Sequence, residues 1–184
     1  MRQSDVMVYL MTGFLDSGKT QFLTFTLEQD YFQIQGKTLL ILCEEGEEEY
    51  DPKEMLKYGV VIEKVEDKED LTEAWLEEMN RKHKPERVVV EYNGMWPVSD
   101  FEKLALPAGW KIEQKIATVD ASTFQMYLTN LKPLFVEMVK GAELVLFNRC
   151  EDRGPLAGYR RSVKVVSPQA EVIFEDENGE VDNI

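Results

Sequence analysis

The chain has 184 residues, with 35 Asp plus Glu against 21 Lys plus Arg and a formal charge of −14. A surplus of that size argues against a basic face that grips nucleic acid or anionic lipid. With 43% hydrophobic and 10% aromatic residues there is apolar material for one core, and the length suits one domain better than two.

The acid is local. Residues 44–54, EEGEEEYDPKE, hold seven acidic side chains against Lys53 alone, and residues 171–184 hold six more with no base. No apolar run approaches the ~20 residues of a membrane span, and Asp5 stands where an export signal would carry only base. Cys43 and Cys150, far apart in a chain without such a signal, are expected as free thiols, and the protein is expected in the cytoplasm. The single histidine, His83, follows Arg81-Lys82 just before Pro85, which predicts a solvated helix end.

Val6 to Met11 is a continuous apolar run that stops at a glycine-containing loop, the pattern of a buried parallel strand. The next segment of helical length starts at Thr20 and runs to Leu27. A second strand is expected over Thr38 to Leu42, and a helix over Asp70 to Met79, where Leu71, Trp75 and Met79 share one face. Strands follow over Val88 to Val90, Ile116 to Val119 and Leu144 to Phe147, with a helix over Pro133 to Val139. This alternation predicts an α/β fold: a parallel-rich central sheet flanked by helices.

Between the first strand and the first helix lies Gly13-Phe14-Leu15-Asp16-Ser17-Gly18-Lys19-Thr20, a complete G-x-x-x-x-G-K-[ST] pattern. Backbone N–H groups of such a loop wrap phosphates, and the helix that follows aims its positive end at them. Lys19 then neutralises the β- and γ-phosphates, and the Thr20 hydroxyl binds Mg²⁺. Ser17, Gly18 and Gln21 complete the expected nucleotide-binding segment. A carboxylate from a neighbouring strand is expected beside the metal, and Arg87-Val88-Val89-Val90-Glu91 ends in one. Gly94, in the turn after it, is placed to reach a γ-phosphate. For the base, Asn148-Arg149-Cys150-Glu151 follows a buried strand and partly matches N-K-x-D, the guanine-reading pattern, with Arg for Lys and Glu for Asp.

Together these motifs resemble the CobW/HypB/UreG family of metal-associated GTPases, most closely its CobW branch. The resemblance rests on Gly13 to Thr20, on Cys43-Glu44-Glu45-Gly46-Glu47 for N-E-x-G-E, on Glu91 to Pro97 for E-x-x-G-x-x-x-P, on Val119-Asp120-Ala121, and on the Asn148 segment. Ser167-Pro168 with Ala170 is similar to the N-P-x-A element after the last strand. The resemblance implies a P-loop NTPase architecture of the SIMIBI type, GTP binding and slow hydrolysis, delivery of a metal to a client metalloprotein, and nucleotide-dependent homodimers. It also implies Mg²⁺ held by Thr20, Glu44 and Glu91, with Glu44 or Glu91 placing water. The GTPase domain is expected over residues 1–170, with residues 171–184 an acidic tail leading to a further C-terminal domain.

Three departures stand out. The C-x-C-C motif of the CobW branch has no counterpart, because Val61 to Leu71 contains no cysteine. Asp16 replaces a glycine inside the phosphate loop, which predicts weaker nucleotide affinity and faster release. The guanine motif is incomplete, which keeps two other readings open: a nucleotide-sensing module with little turnover, and an ATPase or kinase.

Overall fold

The structure is a computed structural model that describes residues 5–151 and 156–181. Eight strands form one sheet in the order β3-β2-β4-β1-β5-β6-β7-β8. In chain order they are β1 (Val6–Thr12), β2 (Thr38–Leu42), β3 (Val60–Lys64), β4 (Arg87–Glu91), β5 (Trp110–Asp120), β6 (Leu144–Asn148), β7 (Glu171–Asp176) and β8 (Gly179–Glu180). All neighbours pair in parallel except β7 and β8, which form an antiparallel hairpin.

The strands form because their apolar runs are buried on both faces. Val8 and Leu10 of β1, Leu39 and Ile41 of β2, and Val88 and Val90 of β4 enter one large core cluster. Met11, Leu40 and Val89, one position out of phase, enter a second cluster on the other face. That two-residue period follows from the pleat. Parallel neighbours need crossovers, and helices supply them.

The helices are α1 (Lys19–Leu27), α2 (Pro52–Lys57), α3 (Glu73–His83), α4 (Val98–Glu102), α5 (Phe124–Asn130), α6 (Lys132–Val139) and α7 (Leu156–Val166). Leu23 and Leu27 of α1 and Met55 of α2 pack in the smaller cluster, while α3 to α7 contribute to the larger one. Local chemistry sets their ends. The Thr72 hydroxyl accepts from Trp75 N–H at 3.1 Å and starts α3. Lys84, in the left-handed region at φ 47°, stops it before Pro85. Asp51 caps α2 by accepting from Lys53 N–H at 2.9 Å, with Pro52 in the first turn. No helix among the described residues is long and apolar enough to cross a membrane.

All five expected strands and three expected helices are present, but the helix expected from Asp70 starts at Glu73, because Thr72 caps it, and Leu71 lies in the turn before it rather than on its face. Strand β3 and helices α2, α4, α5 and α7 were not anticipated. His83 ends its helix as expected, yet its ring is largely buried and lies 2.7 Å from Glu63 Oε1 on the edge strand β3. The expected boundary at residue 170 also shifts. Glu171–Asp176 is a sheet strand, in register with β6 from Leu144↔Glu171 to Phe147↔Phe174. Phe174 in the core, and Val172 packed against that core, outweigh the flanking acid. Of the rest of the expected tail, Gly179–Glu180 pair back on β7 as β8, and residues 182–184 lie outside the described residues.

Phe174 is 1% exposed and stacks on Phe147 with centroids 5.0 Å apart. Truncating it, Phe174→Ala, is expected to cost about 3–5 kcal/mol in urea denaturation. A cost under ~0.5 kcal/mol would return residues 171–176 to the status of a tail.

Candidate functional site

The carboxyl ends of the parallel strands converge on the loop after β1, where ligands bind in open α/β sheets. Met11 of β1, Leu42 of β2 and Glu91 of β4 stand at one level through their pairing. The loop Gly13–Gly18 rises directly from that level. Gly18 precedes α1 at φ 97°, a left-handed conformation suited to glycine, and a Cβ there would lie 2.1 Å from Asn148 Nδ2. No side chain caps α1 and no acid occupies its first turn. The first N–H groups of the helix are thus not blocked by a local side-chain cap, which makes this end suited to an anion.

Lys19, the first residue of α1, is 3% exposed and its ammonium is fully engaged. Its Nζ donates to Gly13 O at 2.5 Å, Phe14 O at 3.1 Å and Glu44 Oε1 at 2.7 Å. Glu44 follows β2, whose end is pinned by Cys43 N–H donating to Glu91 O at 2.9 Å. The second oxygen of Glu44 accepts from Gly94 N–H at 2.8 Å. Gly94 must be glycine here, because a Cβ would lie 2.3 Å from Gly13 O.

Thr20 faces a different carboxylate. Its hydroxyl donates to Glu91 Oε1 at 2.7 Å, and the Tyr50 hydroxyl donates to Glu91 Oε2 at 2.5 Å. Burial pushes the Glu91 carboxyl above the usual carboxylate range, opposed by the Tyr50 and Thr20 hydroxyls and the Lys19 charge. Burial, with the Glu91 charge next, likewise pushes the Tyr50 phenol well above its ordinary value. The three residues implied as metal ligands are therefore divided: Thr20 and Glu91 are joined, and Glu44 is bonded to Lys19 and Gly94. Tyr50 was not anticipated, and its one signal was an aromatic residue inside an otherwise acidic loop.

Asp16 sits at φ 56°, which accounts for glycine being usual at this point in the loop. Asp tolerates it through a local bond, and here Asp16 Oδ1 accepts from Glu47 N–H at 2.9 Å, tying the acidic loop to the phosphate loop. Arg149, also left-handed at φ 55°, donates to Asp16 O at 3.0 Å and is paired with Asp120. Asn148 Nδ2 donates to Ser17 O at 2.6 Å, while Asn148 Oδ1 is buried with no partner among the described residues. Ser17 Oγ is 2.8 Å from Thr118 Oγ1 of β5.

Two neighbouring spaces, which share Gly18, Gln21 and Arg149 in their walls, follow from this packing. A cleft of about 50 Å³ lies between Asp16, Lys19, Thr20, Glu44, Glu91 and Arg149. Beside it, a cavity of about 790 Å³ is lined by Gly18, Gln21, Phe25, Asn148, Glu151 and Glu175, among others. The structure thus brings Gln21, Asn148, Arg149 and Glu151 to one wall, with Glu175–Glu177 from the end of β7 added to it. The Ser167–Ala170 segment does not belong there. It precedes β7, and Ser167 Oγ donates to Ala142 O at 3.4 Å, ahead of the start of β6 and away from Asn148.

Residues 7–174 match the CobW/HypB/UreG nucleotide-binding domain family. The chain belongs to this family. No curated protein matches it significantly. Among solved structures it is similar to the Zn(II)-bound YjiA GTPase from E. coli, with a TM-score of 0.68 and 23% identity over 98% of this chain and 60% of that one. Hydrogenase maturation factor HypB from Archaeoglobus fulgidus gives a TM-score of 0.65 and 18% identity over 95% of this chain and 82% of that one. HypB from Helicobacter pylori, in complex with nickel, gives 0.59 and 14% over 95% and 80%. These likenesses establish the mostly parallel P-loop GTPase fold. The chain spans 60% of the length of YjiA.

Both cysteines are buried and free. Burial, then the Glu91 and Glu44 charges, pushes the Cys43 thiol up to about 12, and burial raises Cys150 to about 11. Thiolate reacts and thiol does not. At pH 8 both therefore stay protonated in the folded protein, and a disulfide reagent is expected to label neither until denaturant is added. Rapid labelling of the native chain would contradict this geometry.

Proposed function

We propose that this chain is a Mg²⁺-dependent GTP-binding and slowly GTP-hydrolysing domain, coupled to handling of a metal ion for a client protein. The observation that carries the reading is the convergence of Lys19, Thr20, Glu44 and Glu91 around one cleft at the start of α1, with the Gly94 amide bonded to Glu44 behind it. Guanine is supported by family membership and by Asn148 and Glu151 lining the adjoining cavity. Metal handling is supported by the zinc- and nickel-bound relatives.

The residues present fit magnesium. Among the described residues no group of three or more His, Cys, Asp or Glu could hold a metal by itself, which suits an ion that takes one or two protein oxygens and completes its shell with phosphate and water. Thr20 and Glu91 are hard oxygen donors already in contact, at 2.7 Å. Thr20 and Glu91 would hold the ion, which would supply positive charge to offset that developing in phosphoryl transfer. Lys19 stabilises the terminal phosphoryl group, Gly94 N–H donates to it, and Glu91, held in place by Tyr50, orients water.

A second reading, a nucleotide-sensing module with little turnover, is favoured by the internal engagement of Lys19. GTP and ATP are to be compared for binding and turnover with Mg²⁺, using Lys19→Ala as the blank. The expected result is GTP turnover that falls by about 10²-fold or more in the variant. Binding without turnover selects the second reading, and ATP preference overturns the guanine assignment.

Tyr50→Phe removes the hydroxyl that holds Glu91. It is expected to raise the Mg²⁺ concentration needed for half-maximal nucleotide binding several-fold, with binding in chelator unchanged. An unchanged Mg²⁺ requirement would leave Tyr50 a packing residue.

A further inference from the structure

A carboxylate that bridges an ammonium and a backbone amide makes the contacts a terminal phosphate makes. Glu44 does this at 2.7 Å from Lys19 Nζ and 2.8 Å from Gly94 N, and both side chains of the ion pair are nearly buried. An ammonium has three protons to donate. Those of Lys19 are directed to Gly13 O, Phe14 O and Glu44 Oε1, so no donor is left for another anion. The cleft around the pair holds about 50 Å³, whereas the cavity beside it holds about 790 Å³. The base side is thus open to a nucleoside, and the terminal-phosphate side is filled by the chain itself.

We propose that Glu44 is an internal occupant of the γ-phosphate position, and that its displacement sets how the protein discriminates nucleoside triphosphate from diphosphate. This rests on the nucleotide-binding reading above. The Gly94 amide is the donor that a γ-phosphate needs and a diphosphate does not reach. A triphosphate must break both bonds of Glu44 and turn its carboxylate out of the place beside Lys19 and the Gly94 amide. A diphosphate competes at most for one bond of Lys19. The wild-type chain therefore discounts the triphosphate relative to the diphosphate, and anything that draws the acidic loop outward removes that discount. Glu47 N–H is fastened to Asp16 and Tyr50 to Glu91, so displacement at Glu44 is felt at both the phosphate loop and the metal-side carboxylate.

The test measures dissociation constants of the full chain for GTPγS and GDP, and for ATPγS and ADP, in Mg²⁺. Glu44→Ala is expected to shift the triphosphate-to-diphosphate affinity ratio toward triphosphate by about tenfold or more, the size of a charge-assisted hydrogen bond. Glu44→Gln, which keeps the side chain's length without its charge, should shift it the same way by less, and serves if the alanine variant does not fold. Glu49→Gln removes one charge from the exposed part of the same loop and should leave the ratio within about twofold. An equal shift in Glu49→Gln would assign the effect to loop charge in general and overturn the proposal. A ratio that is unchanged or moves toward diphosphate while nucleotides still bind would overturn it alone, and would mark Glu44 as a ligand of the bound state. Failure of all four nucleotides to bind the parent chain and the variants would overturn the nucleotide reading and this inference together.

Discussion

The burial of one ammonium organises this site. Lys19 is 3% exposed at the start of α1, and a cation removed from water must be compensated by charge and hydrogen bonds close at hand. Two carbonyls of its own loop and one carboxylate do so. The carboxylate arrives from the end of β2 and the amide that completes its bonding from the turn after β4. Both are in reach because β4 lies between β1 and β2 in the sheet. Strand order, set by burial on both faces, thus determines which loops can meet at the ammonium.

The net charge of −14 takes on a different meaning in that light. Seven acids in residues 44–54 look like a solvated, self-repelling loop, and several of them have fixed partners instead. Glu44 faces inward to Lys19, Glu45 pairs with Lys64, Asp51 caps α2 and Glu54 pairs with Lys57. The exposed pairs contribute little each. The inward one differs because solvent does not screen it. A strongly acidic protein can therefore be suited to a polyanionic ligand, provided the acid nearest the phosphates is the one that must leave.

The central strands were legible because Val6 to Thr12, Thr38 to Leu42 and Arg87 to Glu91 are buried on both faces and carry no competing period. The phosphate loop was legible because its spacing is fixed by backbone contacts to phosphate, so Lys19 and Thr20 follow from the pattern alone. Edges were harder. Strand β7 hides three apolar residues among acids, and its place depends on Phe174 stacking on Phe147 of β6. His83 looked solvated because its partner, Glu63, comes from an edge strand that the sequence pattern did not reveal. Tyr50 and Glu175 belong to the site through tertiary contacts, which leave no spacing to read. Glu44 was found by resemblance, yet its partner in the fold is the lysine rather than the threonine.

Among the described residues, three other than glycine adopt left-handed backbone, and their contrast is informative. Lys84 does so at the C-terminus of α3, where such a residue commonly ends a helix. Asp16 and Arg149 have no such reason, and they are bonded to each other across the mouth of the cleft. Strain of this kind persists where surrounding contacts fix it. Asp120 holds Arg149 from the end of β5, Arg149 holds the Asp16 carbonyl, and the Asp16 carboxylate holds the Glu47 amide. One line of bonds therefore runs from the base-side strand ends, over the phosphate loop, into the acidic loop that carries Glu44. Asp16 thus joins the Arg149 wall of the larger cavity to the loop that carries Glu44, which gives a reason for an acid at a position where glycine would be less strained.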